Sequence, residues 1–154
     1  MKKKTDESGA YYTIMWSKMY KYDKYEAQRI LPELTGILCL LEKKDSRDPR
    51  PILFYNCWRE GLKIAIKNLF DPMFSRLRES AEALSTRELY FKYTIVDQSQ
   101  QDMKDILFWL IRSYEPEFND FMKIRHTGRH KNVYVRELIM SDDSVIEKIP
   151  RVGM

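Results

Sequence analysis

Leu34-Thr35-Gly36-Ile37-Leu38-Cys39-Leu40-Leu41-Glu42, followed after a charged connection by Pro51-Ile52-Leu53-Phe54-Tyr55-Asn56-Cys57, decides the fold. Each stretch is a short apolar run bounded by polar or turn-forming residues, the pattern of a buried strand. The connection, residues 43–50, is brief and contains Pro49, so the two strands are expected to pair as an antiparallel hairpin.

Working outward, Leu62, Ala65, Ile66, Leu69 and Phe70 recur at three- and four-residue spacing and predict an amphipathic helix. Asp71-Pro72 breaks it. Pro72 then opens a second helix, with Met73, Phe74, Leu77, Ala81 and Leu84 on one face and Ser85-Thr86 at its close. Residues 88–96 alternate Phe91, Tyr93 and Ile95 against Lys92 and Thr94, which predicts a third strand. Ser99 is placed to cap a long helix carrying Met103, Ile106, Leu107, Leu110, Ile111 and Tyr114, which must end near Glu115 because Pro116 disfavours helical geometry before it. Upstream, residues 11–16 have the composition of a strand, and Asp23 caps a short helix over 24–31 that Pro32 stops. The first ten residues are polar and expected to fray. Residues 133–138 add a short edge strand, and the polar stretch 140–154 is expected to be loosely held. The fold class expected is α+β, a small three-stranded antiparallel sheet flanked by helices. It forms a single domain over 1–154, with its core at 33–120, an N-terminal extension at 1–32 and a basic C-terminal extension at 121–154.

Composition narrows the function classes. The chain of 154 residues is 44% hydrophobic and 13% aromatic, enough to bury a core and too aromatic for a disordered chain. Apolar runs such as 36–41 and 106–111 are far shorter than the roughly 20 residues of a membrane span. The basic start lacks the apolar segment of a secretory signal. Two cysteines, Cys39 and Cys57, are too few for a disulfide scaffold, so a reduced cytoplasmic setting is expected. Net charge is +4, a mildly basic balance.

The element order strand, strand, helix, helix, strand, helix over residues 34–119 resembles the GIY-YIG nuclease domain. Gly36-Ile37-Leu38 stands where that family has Gly-Ile-Tyr, and Phe54-Tyr55-Asn56 where it has Tyr-Ile-Gly. Leu110-Ile111 followed by Tyr114-Glu115-Pro116-Glu117-Phe118-Asn119 is similar to its closing pattern. The resemblance implies a three-stranded antiparallel sheet with flanking helices. It also implies a Tyr in each strand motif, an Arg on the first helix, and a Glu on the last that holds a divalent ion at the scissile phosphate. Here Leu38 replaces the first Tyr, Ala65 or Ile66 the Arg, and Leu107 the Glu. Asp105 and Asp102 lie off the face of Leu107 and do not substitute for it. The resemblance therefore implies a domain without the family's catalytic residues, with no cofactor and no metal.

Other chemistry is sparse. His126 and His130 stand four apart with Gly128 between them and no Cys, Asp or Glu in the segment, which reads as a basic loop. No glycine-flanked nucleophile and no phosphate-cradling glycine loop is present. Basic surfaces remain. Arg59, Lys63 and Lys67 recur every four residues on the polar face of the first predicted helix. Lys123, Arg125, Arg129, Lys131 and Arg136 follow in a stretch, 121–136, with no acidic residue and with Phe121 and Tyr134 nearby. Such cations pair with phosphates, and aromatics stack on bases. The expected function is a catalytically inactive domain that binds DNA or RNA through these residues. Two alternatives stand beside it: a protein-interaction or assembly module using the aromatic and Met-rich stretch from Tyr11 to Tyr25, and a divergent metal-dependent nuclease.

Overall fold

A computed structural model describes residues 1–71, 73, 84–120, 122–140 and 145–148. In it β3 (Tyr20–Lys21), β4 (Gly36–Glu42), β5 (Arg50–Asn56) and β6 (Leu89–Ile95) form a central sheet of order β3-β6-β4-β5, antiparallel throughout. A second, terminal sheet of order β1-β2-β7-β8 is built from β1 (Lys2–Asp6), β2 (Gly9–Trp16), β7 (Val133–Met140) and β8 (Val145–Lys148). Within it β2 and β7 run parallel, while β1 and β8 pair antiparallel on the two sides.

This architecture is mixed α+β, and it overturns the expectation of a small three-stranded sheet with two accessory extensions. The supposed extensions together supply five of the eight described strands, the whole terminal sheet and β3 of the central one. The reason is pairing across sequence. Segment 1–6 has no apolar alternation of its own, and β2 finds its second neighbour only in β7, beyond the whole central sheet in sequence. Nor is β7 an edge strand; β8, within the stretch expected to be loosely held, covers its other side.

β4 is buried on both faces because its apolar run does not alternate. Leu38 and Leu40 point to one side, where α1 (Lys24–Ile30) and α2 (Leu62–Leu69) pack with Ala27, Leu62, Ala65, Ile66 and Leu69. Burial of each large aliphatic side chain there stabilises the fold by roughly 2 kcal/mol. Ile37, Cys39 and Leu41 point to the other side, onto α3 (Gln100–Tyr114) and the inner face of the terminal sheet. α3 therefore lies between the two sheets, which explains its wide apolar stripe. Asp23 caps α1 by accepting from the Tyr25 and Glu26 amides, and Ser99 caps α3 by accepting from the Asp102 amide. The helix expected over 73–84 falls mostly outside the described residues.

Close approach of β4 to β6 demands a glycine. A Cβ on Gly36 would sit 2.2 Å from the Thr94 carbonyl oxygen. Cys39 and Cys57 form no disulfide and are buried, and they belong to the clusters on opposite faces of the central sheet. Burial pushes the Cys57 thiol well above its ordinary range, so it is held as an unreactive thiol. Among the described residues, no helix is long and apolar enough to cross a membrane.

Candidate nucleic-acid interface

Strand alternation gives the terminal sheet two unlike faces. Ala10, Tyr12, Ile14 and Trp16 of β2 and Val135 and Glu137 of β7 point inward and are buried. Tyr11, Thr13 and Met15 point outward beside Tyr134, Arg136 and Leu138. The register aligns these into rows. Lys4, Tyr11 and Tyr134 stand side by side across three strands, and Lys2, Thr13 and Arg136 form the next row. The Tyr11 and Tyr134 rings stack at 5.1 Å with 15° between their planes, and both stay exposed, at 38% and 45%. They lie in an open depression of about 840 Å³ whose described lining residues include three cations and no acidic residue.

The inner face holds this surface rigid. Lys3, turned inward between Lys2 and Lys4, donates from Nζ to Asp102 at 2.9 Å. Tyr12 donates its hydroxyl to the same carboxylate oxygen at 2.8 Å, and Arg129 donates to it at 3.0 Å. Asp105 is buried one turn on. It accepts from the Thr127 amide at 2.8 Å and the Thr127 hydroxyl at 2.9 Å, with Arg129 at 3.3 Å. Burial pushes Asp102 upward, but the donors from Lys3, Tyr12, Arg129 and Ser99 outweigh it and hold the carboxyl well below the usual range. Burial, and then the bond to Asp102, raise Tyr12, which stays a neutral donor. Two carboxylates meet two cations, so the network is charge-balanced and serves as a pin between α3, β1, β2 and segment 127–129. A second buried anchor lies further along: Glu137 accepts from the Trp16 indole at 2.7 Å and the Tyr114 hydroxyl at 2.6 Å. The Lys92 ammonium sits 4.7 Å from the centre of the Trp16 ring.

The cations singled out from sequence do not form one surface. Arg59 and Lys67 are exposed, and Lys63 is half-buried with its ammonium 3.9 Å from Glu33. All three belong to α2 or its approach, across the central sheet from Tyr11 and Tyr134. Arg129 is engaged by Asp102 and Asp105. Arg125 donates to the Met122 and Ile124 carbonyls, shaping its own loop, and Lys123 lies 3.7 Å from Asp120. Lys131 and Arg136 are exposed, Arg136 on the outward face. Sequence reading singled out neither Lys2 nor Lys4, and took Tyr11 only as the start of a stretch suited to a protein partner. Lys2 and Lys4 could be told from Lys3 only by recognising 2–6 as a strand, since alternation then sends Lys3 inward.

The positions where the nuclease resemblance expects its site are packed hydrocarbon. Leu38 is fully buried among the α1 and α2 residues, together with Ala65 and Ile66. Leu107 is 5% exposed on the opposite side of the central sheet. Side chains of any type at 38 and 107 would not meet. His126 accepts the Gly128 amide at Nδ1, which leaves the proton of the neutral ring on Nε2, and its ring meets Phe108 edge-on at 5.0 Å. Among the described residues, no group of three or more His, Cys, Asp or Glu side chains is gathered as a metal site.

A family model described as "Uncharacterised protein" matches residues 1–150, and the chain belongs to that family. The match spans both sheets. No curated protein and no solved structure matches the chain.

Proposed function

We propose that this domain binds single-stranded nucleic acid on the outward face of the terminal sheet and does not cut it. One observation carries the reading: a stacked pair of exposed tyrosines on an uncovered sheet face, set between Lys4, Lys2 and Arg136. A flat aromatic platform suits unstacked bases, and flanking cations suit the phosphates that connect them. Base pairs in a duplex keep their faces covered and cannot use such a platform. Each base–aromatic contact contributes about 1–3 kcal/mol, roughly 5- to 150-fold in affinity. Three phosphate contacts on a single strand give a salt slope of about −2 in log–log form.

The test is anisotropy of labelled oligo-dT and oligo-rU at low salt against a duplex of equal length. Single strands are expected to bind in preference. Tyr134→Ala is expected to weaken them at least 5-fold, and Lys2→Glu with Lys4→Glu to flatten the salt slope. Absence of binding at low salt, or binding indifferent to all three changes, would overturn the proposal. A protein-contact reading draws on the far end of the same face, where Met15 and, one row beyond it, Met140 are exposed at 38% and 45%. It expects self-association or partner capture that survives high salt, which a phosphate-dependent surface does not.

A further inference from the structure

The outward sheet face is not an isolated depression. Tyr134 also walls a small cavity of about 280 Å³, shared with Phe108, His126, His130 and Lys131. His126 in turn walls a cleft of about 790 Å³ between β5 and α3, where Lys104, Arg125 and Gln101 stand over Tyr55 and Asn56. Two shared side chains thus set the three concavities side by side, Tyr134 between the first and second and His126 between the second and third. Among the described residues that line the three, none is acidic. With 23 Asp and Glu in 154 residues, an unselected lining of that extent would carry several.

Local structure builds the path deliberately. Asp105 and Asp102 of α3 are turned inward, where Thr127 donates to Asp105 and Arg129 and Lys3 balance the two charges, so that charge is withdrawn from the surface. The same bonds hold segment 126–132 against α3, which places His126 on Phe108. Asn132 donates its side-chain amide to the Ser8 carbonyl and accepts the Ala10 amide on its own carbonyl. That clamps the β1–β2 turn beside the point where the path leaves the sheet. Arg112 covers the other side of Phe108, 5.6 Å from the ring centre.

Resting on the reading that the sheet face binds single strands, we infer that one extended strand continues past Tyr134 and His126 into the cleft beside Lys104. The occupant is a single-stranded polynucleotide: a chain of regularly spaced negative charges suits a path whose described lining carries cations and rings and no acid. Sheet-based single-strand sites span about 4–16 nucleotides, and three linked concavities belong to the longer end of that range.

The experiment compares a tetranucleotide with a dodecanucleotide of dT, and the same pair in rU, binding to the wild-type chain and to Lys104→Glu/Lys131→Glu. Both changed side chains are exposed; Lys104 lines the cleft and Lys131 the small cavity, and neither lines the sheet-face depression. The expected result is at least a 10-fold loss for the dodecanucleotide with the tetranucleotide unchanged. Amide shifts at 104, 108 and 126 are expected with the longer strand only. An equal loss for both lengths shows a diffuse field and no path, and overturns the inference, as does no loss for either. In both cases a Tyr134→Ala defect on the tetranucleotide would leave the sheet-face reading standing. Failure of both lengths to bind the wild-type chain overturns that reading and this inference together. The dT and rU arms distinguish DNA from RNA as the source of the strand.

Discussion

Replacing Asp105 with Ala tests whether the buried carboxylates are a mechanical pin. The side chain is 1% exposed and accepts three hydrogen bonds, two from Thr127 and one from Arg129. Bonds to a charged acceptor contribute about 1.5–3 kcal/mol each. Two effects reduce the sum. Thr127 is only partly buried, so water replaces part of what it loses, and Arg129 keeps Asp102 at 3.0 Å. Removing a buried charge also relieves its desolvation. About 3 kcal/mol remains, which for a domain of this size lowers Tm by about 6–12 °C. That is survivable for a fold with about 5–15 kcal/mol of stability, so the variant is expected to fold. The local effect is the sharper readout. The Thr127 amide loses its acceptor and is expected to exchange with solvent about 100-fold faster. Asp105→Asn keeps an acceptor for that amide and a donor for the Thr127 hydroxyl, but it turns an amide group towards Arg129. Its loss is expected to be about half. A Tm within about 1 °C of wild type together with unchanged Thr127 exchange would refute the reasoning, as would equal behaviour of the Asn and Ala variants.

Two further outcomes follow from the same geometry. Gly36→Ala places a Cβ 2.2 Å from the Thr94 carbonyl, in backbone that cannot yield cheaply, and is expected to cost about 3 kcal/mol in denaturant melts; an unchanged midpoint would show that β4 and β6 are freer to separate than their pairing implies. Asp102 is held below its ordinary value of 3.8, and Glu117, bonded to Arg87, below 4.5. The unfolded chain therefore takes up protons before the folded one, so their contribution is whole above about pH 5 and is lost as pH falls below the usual carboxylate range. The Tm gap between wild type and Asp102→Asn is expected to be constant from pH 7 to 5 and to close below pH 4, and a gap independent of pH would contradict this.

The central sheet and its helices were legible because their signals are local. β4 and β5 are apolar runs, α2 and α3 repeat at helical spacing, and Asp23 and Ser99 cap α1 and α3. The terminal sheet was not legible because its signals are relational. Lys2, Lys3 and Lys4 read as a polar tail until strand geometry separates them into two outward cations and one inward partner for Asp102. Tyr11 and Tyr134 acquire meaning only when β2 and β7 lie parallel. Arg129 looked like one more phosphate contact because nothing in a basic segment announces buried carboxylates 24 and 27 residues earlier. The one available hint was Asp105 within the apolar middle of α3. It was set aside as facing away from Leu107, and that direction leads to Thr127.

Parallel pairing of β2 with β7 also sets a timetable for synthesis. Trp16 and Val133 are separated by 116 residues, which a ribosome making about 5–20 residues per second takes roughly 6–25 s to add. During that interval the hairpin of β1 and β2 has one unclosed edge and an apolar side, carrying Ile14 and Trp16, with no neighbour to cover it. The central sheet, whose partners are close in sequence, is free to assemble first. Newborn chains of this family are therefore expected to present a sticky amino-terminal ribbon to chaperones until their last strands arrive.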